Sequence, residues 1–258
     1  MVEIPSFPKS RRRLAGVTGP RIRVTKEQEY KQAMDKFHRN PIYNRASTVV
    51  SAIIIPLQML SAAWVEWSLS PFQYIILFLA AYLIADFINV LVHMFMDNNN
   101  DYTSIVGPLN AIFHLHHKHP IYTDRHPAII YVLETGAKNW LVFYMAILVY
   151  AQSISVLAPS LNFALVMVGV LSSFAEVSHF LCHNSISPVV RFLQKWGVLL
   201  HPGHHAIHHE ADNVNYAFLN GVTDPILNVI ARHTCKGYMN RADVHVGAYA
   251  GPTDSNRA

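Results

Sequence analysis

The sequence predicts an all-α, polytopic membrane protein with four transmembrane helices and a histidine-rich helical cap at one membrane surface. Of its 258 residues, 52% are hydrophobic and only 14% are charged, against roughly 25% charged residues in soluble domains. Residues 139–175 contain no Asp, Glu, Lys or Arg. This run is long enough to cross a bilayer twice at about 20 residues per crossing, so an ordinary soluble fold is excluded.

Four apolar segments are predicted to cross the membrane as helices. The predicted spans are residues 46–65, 70–93, 139–157 and 161–180. The second contains one acid, Asp86, and Pro159 separates the third from the fourth, which predicts a helical hairpin with a tight turn. The spans form a membrane domain at residues 46–231. A basic cytoplasmic N-terminal segment (1–45) precedes it, and a C-terminal tail (232–258) follows it.

The distribution of basic residues predicts the orientation of the spans. Of the twenty Lys and Arg residues, eleven precede Ala46, three lie between Lys118 and Lys138, and six follow Val190. Cytoplasmic segments of membrane proteins are enriched in Lys and Arg. We therefore expect a multi-pass protein with both termini and the loop at 97–138 on the cytoplasmic side. A bacterial inner membrane is the expected location, because it fits a compact chain without a transit peptide.

The composition also excludes several other classes of protein. Two cysteines, Cys182 and Cys235, are too few for a disulfide framework, an iron–sulfur centre or a thiolate zinc site. The net charge is +4, but the excess lies near the N-terminus, and no groove-reading element accompanies it. We therefore expect no nucleic-acid partner.

Histidine is the residue type that indicates a site. The chain contains 16 histidines, and ten of them fall within residues 113–126 and 201–209. The predicted topology places these clusters in one layer with His93, His179 and His183, which lie at the cytoplasmic ends of two spans. A transport pathway distributes its polar groups through the depth of the membrane instead. The layer therefore favours a site at one membrane surface.

The spacing of these residues is that of metal ligands on helices. His93 and Asp97 are four residues apart, as are His179 and His183, so each pair lies on one helix face. Further candidates are the interleaved pairs at His204, His205, His208 and His209, and the adjacent His116 and His117, flanked by His114, His119 and His126. Helices that direct such pairs inward can hold two ions. His114 and His119 are equally consistent with a structural role, and the isolated His38, His233 and His245 are expected not to be ligands.

The ligand types favour iron. Imidazole with a few carboxylates and no thiolate suits non-haem iron, and zinc also accepts these ligands. A catalytic zinc needs about three protein ligands, whereas eight or more histidines share the predicted layer. The sequence also lacks the H-E-x-x-H signature of zinc proteases. We therefore expect a di-iron site that activates dioxygen in the cytoplasmic cap.

Several short motifs follow one another along residues 81–227. The first are Ala85-Asp86-Phe87 with His93 and Asp97, Phe113-x-x-His116-His117-x-x-Pro120, and Thr123-x-Arg125-His126. The later ones are Glu134 with Gly136 and Asn139, His179-x-x-x-His183, Leu193-Gln194-x-Trp196, His204-His205-x-Ile207-His208-His209, Asn215-Tyr216 and Asn220-Gly221. In this order they resemble the Kua/CarF-type lipid desaturases. That family includes the animal plasmanylethanolamine desaturase and the plant plastid enzyme that acts on palmitate in phosphatidylglycerol.

The resemblance implies an enzyme that removes two hydrogens from adjacent carbons of an acyl or alkyl chain in a membrane lipid. Its cofactor would be two Fe ions, and O2 would be the co-substrate, reduced to water. The implied metal ligands are His93, Asp97, His116, His117, His126, His179, His183, His204, His205, His208 and His209. This set exceeds what two irons need, so some members are expected to orient ligands or to shuttle protons. The sequence shows no cytochrome b5, flavin or iron–sulfur segment, and a separate electron donor such as cytochrome b5 or ferredoxin is expected.

Asp86 and Glu176 are acids inside predicted spans. Asp86 precedes His93 by seven residues and Glu176 precedes His179 by three, so each shares a helix face with a predicted ligand. Because acids are costly at this depth, we expect both to hydrogen-bond ligand histidines and so to support catalysis. Polar contacts between helices, or direct ligation by Glu176, are the alternatives.

Two other functions remain open. A hydroxylase of the sterol desaturase or fatty acid hydroxylase type uses a similar histidine-held di-iron site and also begins by removing hydrogen from its substrate. A metal transporter or metal-binding membrane protein would also be rich in histidine, although the single layer of histidines disfavours a transport path.

Overall fold

The computed structural model describes residues 20–118, 125–211 and 214–235, and this part of the chain is helical with no β-strand. Its helices are α1 (Pro20–Arg39), α2 (Pro41–Asn44), α3 (Ala46–Ala63), α4 (Pro71–Asn98), α5 (Gly107–Lys118), α6 (Pro127–Glu134), α7 (Trp140–Ser153), α8 (Pro159–Asn184), α9 (Pro188–Lys195), α10 (Pro202–Ala211) and α11 (Asp224–Thr234), with a 3-10 turn at Thr135–Ala137. The predicted all-α class is confirmed. Of the predicted terminal segments, residues 1–19 and 236–258 lie outside the described residues.

Three of these helices, α3, α4 and α8, are long and apolar enough to cross a membrane. They correspond to the predicted spans at 46–65, 70–93 and 161–180. Ser70 caps α4 by accepting a hydrogen bond from the backbone N–H of Gln73, whose side chain accepts one from the N–H of Ser70. Pro159 was predicted to lie in a turn, but it begins α8, because the first helical position needs no N–H donor.

The predicted third span, residues 139–157, is not one straight crossing helix. α7 has 14 residues, which extend about 21 Å at 1.5 Å per residue and fall short of a hydrocarbon core of about 30 Å. The segment Pro127–Ala137 precedes α7 at an angle of 93°. The described residues therefore contain three candidate spans, or four if this bent pair forms one.

Gly136 makes the bend before α7 possible. A Cβ atom at this position would collide with the carbonyl oxygen of Ser47 at the start of α3. The hydroxyl groups of Ser47 and Ser51 also donate hydrogen bonds to the carbonyl of Leu133, at 2.8 and 3.3 Å. This close contact between α3 and the 3-10 turn redirects the chain, and Lys138, which follows the turn, is only 5% exposed.

α8 is the central helix of the bundle. In its most apolar window 72% of the residues are buried, against 22% in α3 and 28% in α4. Ala81 and Ala85 of α4 pack in one core cluster with Ala175 of α8, and such small side chains let two helices approach closely. Both helices carry their histidines near the C-terminal end. They therefore run parallel and end at the side of the bundle where the site lies.

Candidate metal centre

Four helices bring nine side chains of ligand type together in two adjoining groups. The five-histidine group consists of His116 from α5, His179 and His183 from α8, and His205 and His209 from α10. The Asp97 group consists of His93 and Asp97 from α4, His117 from α5 and His208 from α10. Within each group the candidate ligand atoms lie within 4.8 Å of one another. Opposite ligands of one metal are about 4.2 Å apart when each bond is about 2.1 Å, so each group has the dimensions of a metal site.

Asp97 is the centre of its group. Its Oδ2 oxygen lies 3.2 Å from Nε2 of His93 and 3.3 Å from Nε2 of His208. Its Oδ1 oxygen lies 3.0 Å from Nε2 of His117. The carboxylate is buried, so three rings from three helices converge on one acid that water does not solvate.

In His93 and His208, the hydrogen bond made by Nδ1 determines whether Nε2, which faces Asp97, is a donor or an acceptor. Nδ1 of His93 is 2.6 Å from the carbonyl of Tyr216, and Nδ1 of His208 is 2.8 Å from the carbonyl of Val214. A carbonyl only accepts, so both Nδ1–H groups donate, and in a neutral imidazole Nε2 then carries a lone pair. Both lone pairs face Oδ2 of Asp97, which is also an acceptor. Acceptors this close repel one another unless a cation lies between them, so this donor set fits a metal ion.

In the five-histidine group the inner nitrogens themselves converge. Nε2 of His179 lies 2.8 Å from Nε2 of His205 and 3.2 Å from Nε2 of His183. Nε2 of His205 lies 3.0 Å from Nε2 of His209, and the His116 ring centroid is 4.8 Å from that of His179. Imidazole nitrogens that point at one place present a ligand set suited to borderline metals such as iron and zinc.

Histidine rings of the two groups pack against each other. The ring centroids of His205 and His208 are 5.4 Å apart, and those of His117 and His209 are 5.2 Å apart. Two ions, one in each group, would therefore be neighbours, as the metals of dinuclear sites are.

Burial keeps the cap histidines neutral. Loss of solvation lowers the pKa of His116 and that of His205 well below the ordinary value of the side chain. The same cause lowers the pKa of His208 to about 4 and that of His209 to about 2. The neutral imidazole is the form that binds metals, so these side chains are in the binding form at neutral pH.

These shifts predict that the metal-free protein is sensitive to acid. At pH values between about 4 and the ordinary value of 6.5 for His208, the unfolded chain binds more protons than the folded chain. The free energy of unfolding therefore falls as the pH falls through this window. We expect thermal unfolding of the metal-stripped protein in detergent to show a lower midpoint at about pH 5 than at about pH 7. The decrease should be smaller in His208→Gln, and equal midpoints at both pH values in the parent protein would contradict the burial of these rings.

Phe218 packs against one histidine ring of each group. Its ring centroid is 4.2 Å from that of His179, with the planes only 17° apart, and 4.2 Å from that of His93. Phe218 belongs to the loop at 214–223 that follows α10. The same loop supplies the two carbonyls that accept hydrogen bonds from His93 and His208. The loop therefore orients ligand-type rings in both groups.

Asp86 stabilises this loop, and among the described residues its hydrogen-bond partners include no histidine, whereas the sequence predicts a hydrogen bond to a ligand histidine. Its buried carboxylate accepts hydrogen bonds from the backbone N–H groups of Asn220, Gly221 and Thr223, at 3.2, 3.3 and 3.0 Å. The hydroxyl of Thr223 donates a further bond at 2.6 Å. The reason is distance: seven residues of helix separate Asp86 from His93 by about 10 Å along the axis.

Replacing Asp86 with alanine is expected to destabilise the protein by about 3 kcal/mol, because several backbone donors would lose their buried acceptor. The thermal unfolding midpoint in detergent measures this loss. Asp35→Ala provides a matched control, since Asp35 is an exposed acid on α1. Equal midpoints for the two variants would show that Asp86 does not stabilise the loop.

Glu176 pairs with a lysine where the sequence predicted a contact with a histidine. Its Oε1 oxygen lies 2.8 Å from Nζ of Lys138, and the ammonium group of Lys138 also donates to Oδ1 of Asn89 at 2.6 Å. Lys138 is not among the site residues predicted from the sequence. The available signal is its position as the last charged residue before the uncharged run at 139–175.

The structure brings neither His126 nor His204 into either group. His126 is exposed, and its Nδ1 accepts a hydrogen bond at 3.3 Å from the backbone N–H of Ala128 in the first turn of α6. Nε2 of His204 lies 2.6 Å from the buried carboxylate of Asp224. Successive residues of a helix point about 100° apart, so His204 faces away from the group that contains His205.

Two further histidines were assigned no single role by the sequence. His114 is buried beside the groups but outside them, with Nε2–H donating to the carbonyl of Met96 at 3.0 Å and Nδ1 2.9 Å from the hydroxyl of Tyr102. It connects α5 to the last turn of α4 and to the chain that follows that helix. His119 lies outside the described residues.

A cavity of about 330 Å³ opens onto both groups. His93 of the Asp97 group and His116 and His179 of the five-histidine group form part of its wall. The apolar part of the wall includes Phe37, Val92, Met96, Leu109, Ile112 and Phe113, and the polar part includes Asn89, Glu134, Lys138 and Glu176. A mostly apolar cavity with a few polar groups at one place is typical of a binding site for a small molecule or lipid chain.

The fold and the two groups define a helical membrane protein with a histidine-rich candidate metal centre. The chain belongs to the lipid desaturase family: the family model described as lipid desaturase domain matches residues 82–234. This range contains all nine side chains of the two groups, and it confirms the Kua/CarF-type membership predicted from the motifs. No curated protein and no solved structure matches the chain.

Proposed function

We propose that this protein is an O2-dependent desaturase of membrane lipids that holds two iron ions, one in each group. The observation that carries the proposal is the pair of acceptor nitrogens, from His93 and His208, that face the buried Asp97 carboxylate. A second group of ligand type adjoins them, and a mostly apolar cavity reaches both. Family membership supports lipid as the substrate.

In this proposal some side chains bind the metal ions or orient their ligands, and others bind the lipid substrate. Imidazole with a few carboxylates and no thiolate suits non-haem iron, and iron ions held there would supply the reduction of O2 and the removal of hydrogen from the lipid. The carbonyls of Tyr216 and Val214 keep His93 and His208 in the tautomer that presents Nε2 inward. Phe218 fixes the His179 ring by stacking. The apolar cavity wall binds the lipid chain and excludes water from the reacting carbons.

The reaction must balance in electrons and protons. Two hydrogens leave adjacent carbons of the chain as the double bond forms, and O2 takes up these hydrogens with two more electrons and two more protons to give two molecules of water. We propose that a separate protein, such as cytochrome b5 or a ferredoxin, supplies the additional electrons. The distribution of Lys and Arg supports a site on the cytoplasmic side of the membrane. We propose a bacterial inner membrane as its location.

Lipid analysis tests this function directly. The protein is expressed in a bacterial host that lacks the activity, and membrane lipids are compared by mass spectrometry with those of an empty-vector strain, with and without air. We expect a lipid lighter by two hydrogens that appears only in air. Metal analysis of the purified protein should give two irons per chain, one for each group.

Other results would point to the alternative functions. A product heavier by one oxygen would identify a hydroxylase. Ion flux into proteoliposomes without any lipid product would identify a transporter. Zinc in place of iron, with unchanged lipids, would exclude oxygen chemistry.

A further inference from the structure

The ion pair of Lys138 and Glu176 is an unusual component of the mostly apolar cavity. Lys138 is 5% exposed and Glu176 is 7% exposed, and both line the cavity. Removing two charges from water costs free energy that their mutual attraction often fails to recover, so a buried ion pair is weak support for stability. A pair retained at this place therefore calls for a functional explanation.

The position of Lys138 is imposed by the backbone around it. It ends the 3-10 turn, where its N–H donates to the carbonyl of Thr135, at the bend that the contact between Gly136 and Ser47 creates. Its ammonium group lies 5.1 Å from the centroid of the Phe218 ring. That ring stacks on His179. The Phe218 ring therefore contacts both Lys138 and the candidate metal ligand His179.

The hydrogen bonds of the ammonium group leave capacity for a ligand. A lysine ammonium has three N–H donors. Among the described residues, Asn89 takes one of them and Glu176 another. Lys138 lines the cavity, where one donor remains for a bound molecule.

The charge around the pair indicates which kind of atom fits. Glu176 neutralises Lys138, and a second acid, Glu134, lines the same cavity. Among the charged side chains of the cavity wall, a phosphate would meet two carboxylates and only one ammonium group, and like charges repel more strongly in a mostly apolar cavity than in water. An uncharged oxygen, such as an ester carbonyl, an ether or a hydroxyl, accepts the remaining hydrogen bond without that repulsion.

We infer that Lys138, held by Asn89 and Glu176, binds an uncharged oxygen at the polar end of the lipid substrate and so determines which carbons reach the metal centre. This inference rests on the proposed desaturase function. The position of the double bond is then set by its distance from the polar end of the lipid chain, because the polar end is fixed and the methyl end is not.

The test compares Lys138→Met with the double variant Lys138→Met/Glu176→Gln, which avoids an unpaired buried carboxylate. Each full-length variant is expressed in cells fed saturated, deuterium-labelled fatty acids of two chain lengths. Product amount per folded protein, double-bond position and iron content are measured. The parent protein should place the double bond at one distance from the polar end for both chain lengths. In the double variant we expect at least about a tenfold loss of product, as for a lost hydrogen bond to a charged group, with the remaining double bonds spread over several positions and the iron retained.

A matched control is Gln58→Leu, which removes a buried polar side chain that bonds Gly169 and Ser173 of α8 and does not line the cavity. It should leave the double-bond position unchanged. A double variant with the parent's product in amount and position would overturn the inference, as would loss of iron together with product. If the parent protein itself forms no unsaturated lipid, the proposed function fails, and that result is distinct from a parent and variant that behave alike.

Discussion

Replacing Asp97 with alanine is expected to remove one metal ion per chain and to reduce lipid desaturation to background. Asp97 is the one acid of its group, and its two oxygens lie within 3.3 Å of three imidazole nitrogens. Loss of a residue that merely orients a ligand already costs about 10- to 100-fold in metal affinity. Loss of Asp97, which faces the proposed ion directly, should cost more than about 100-fold.

The Asp97 experiment needs a measurement of metal as well as of product. Iron per chain is determined by mass spectrometry on protein purified in detergent, beside the lipid analysis. Asp35→Ala is again a suitable control, because it removes an exposed acid from α1, outside both groups. Retention of the parent iron content in Asp97→Ala would mean that the Asp97 group holds no ion.

The second large effect is expected for His205→Ala. His205 is fully buried, and its Nε2 lies close to the Nε2 atoms of both His179 and His209. Its removal takes the central ring from the five-histidine group, so we expect loss of the other metal ion and of activity. The remaining ion should stay in the Asp97 group.

The neighbouring residue provides a stringent control for this variant. His204 precedes His205 on the same helix, but it pairs with Asp224 and lies outside both groups. His204→Ala and His126→Ala should therefore retain both ions. If His204→Ala lost as much iron as His205→Ala, the assignment of the two groups would be wrong, and the broader ligand set implied by the motifs would be favoured.

The helical spacing of the histidines predicted much of this centre. Residues four apart share a helix face whatever the tertiary structure, so the pairs at His93 with Asp97 and at His179 with His183 follow from the sequence alone. The predicted position of each pair near the end of a span also agrees with α4 and α8. The metal itself, and the assignment of each ligand, remain predictions.

The spacing of the residues along the sequence could not predict which of them belong to the five-histidine group and which to the Asp97 group. Which of two adjacent histidines faces inward depends on the rotation of α10 about its axis, and packing against the rest of the molecule sets that rotation. The bend before α7 was missed for a similar reason, since it arises from a contact between Gly136 and Ser47, which are distant in sequence. Phe218 had no signal beyond the motifs Asn215-Tyr216 and Asn220-Gly221 on either side of it. Lys138 could be suspected only from its place at the edge of an uncharged run.

The parallel course of α4 and α8 has an electrostatic consequence. Each α-helix carries the equivalent of about half a negative elementary charge at its C-terminus, and both helices end where the two groups lie. Asp97 is the one carboxylate among the nine described side chains of these groups, so two divalent cations would bring more positive charge than the side chains balance. The aligned peptide dipoles offset part of that excess. Because peptide dipoles do not titrate, this contribution to cation binding is expected to be the same at every pH at which the helices remain folded.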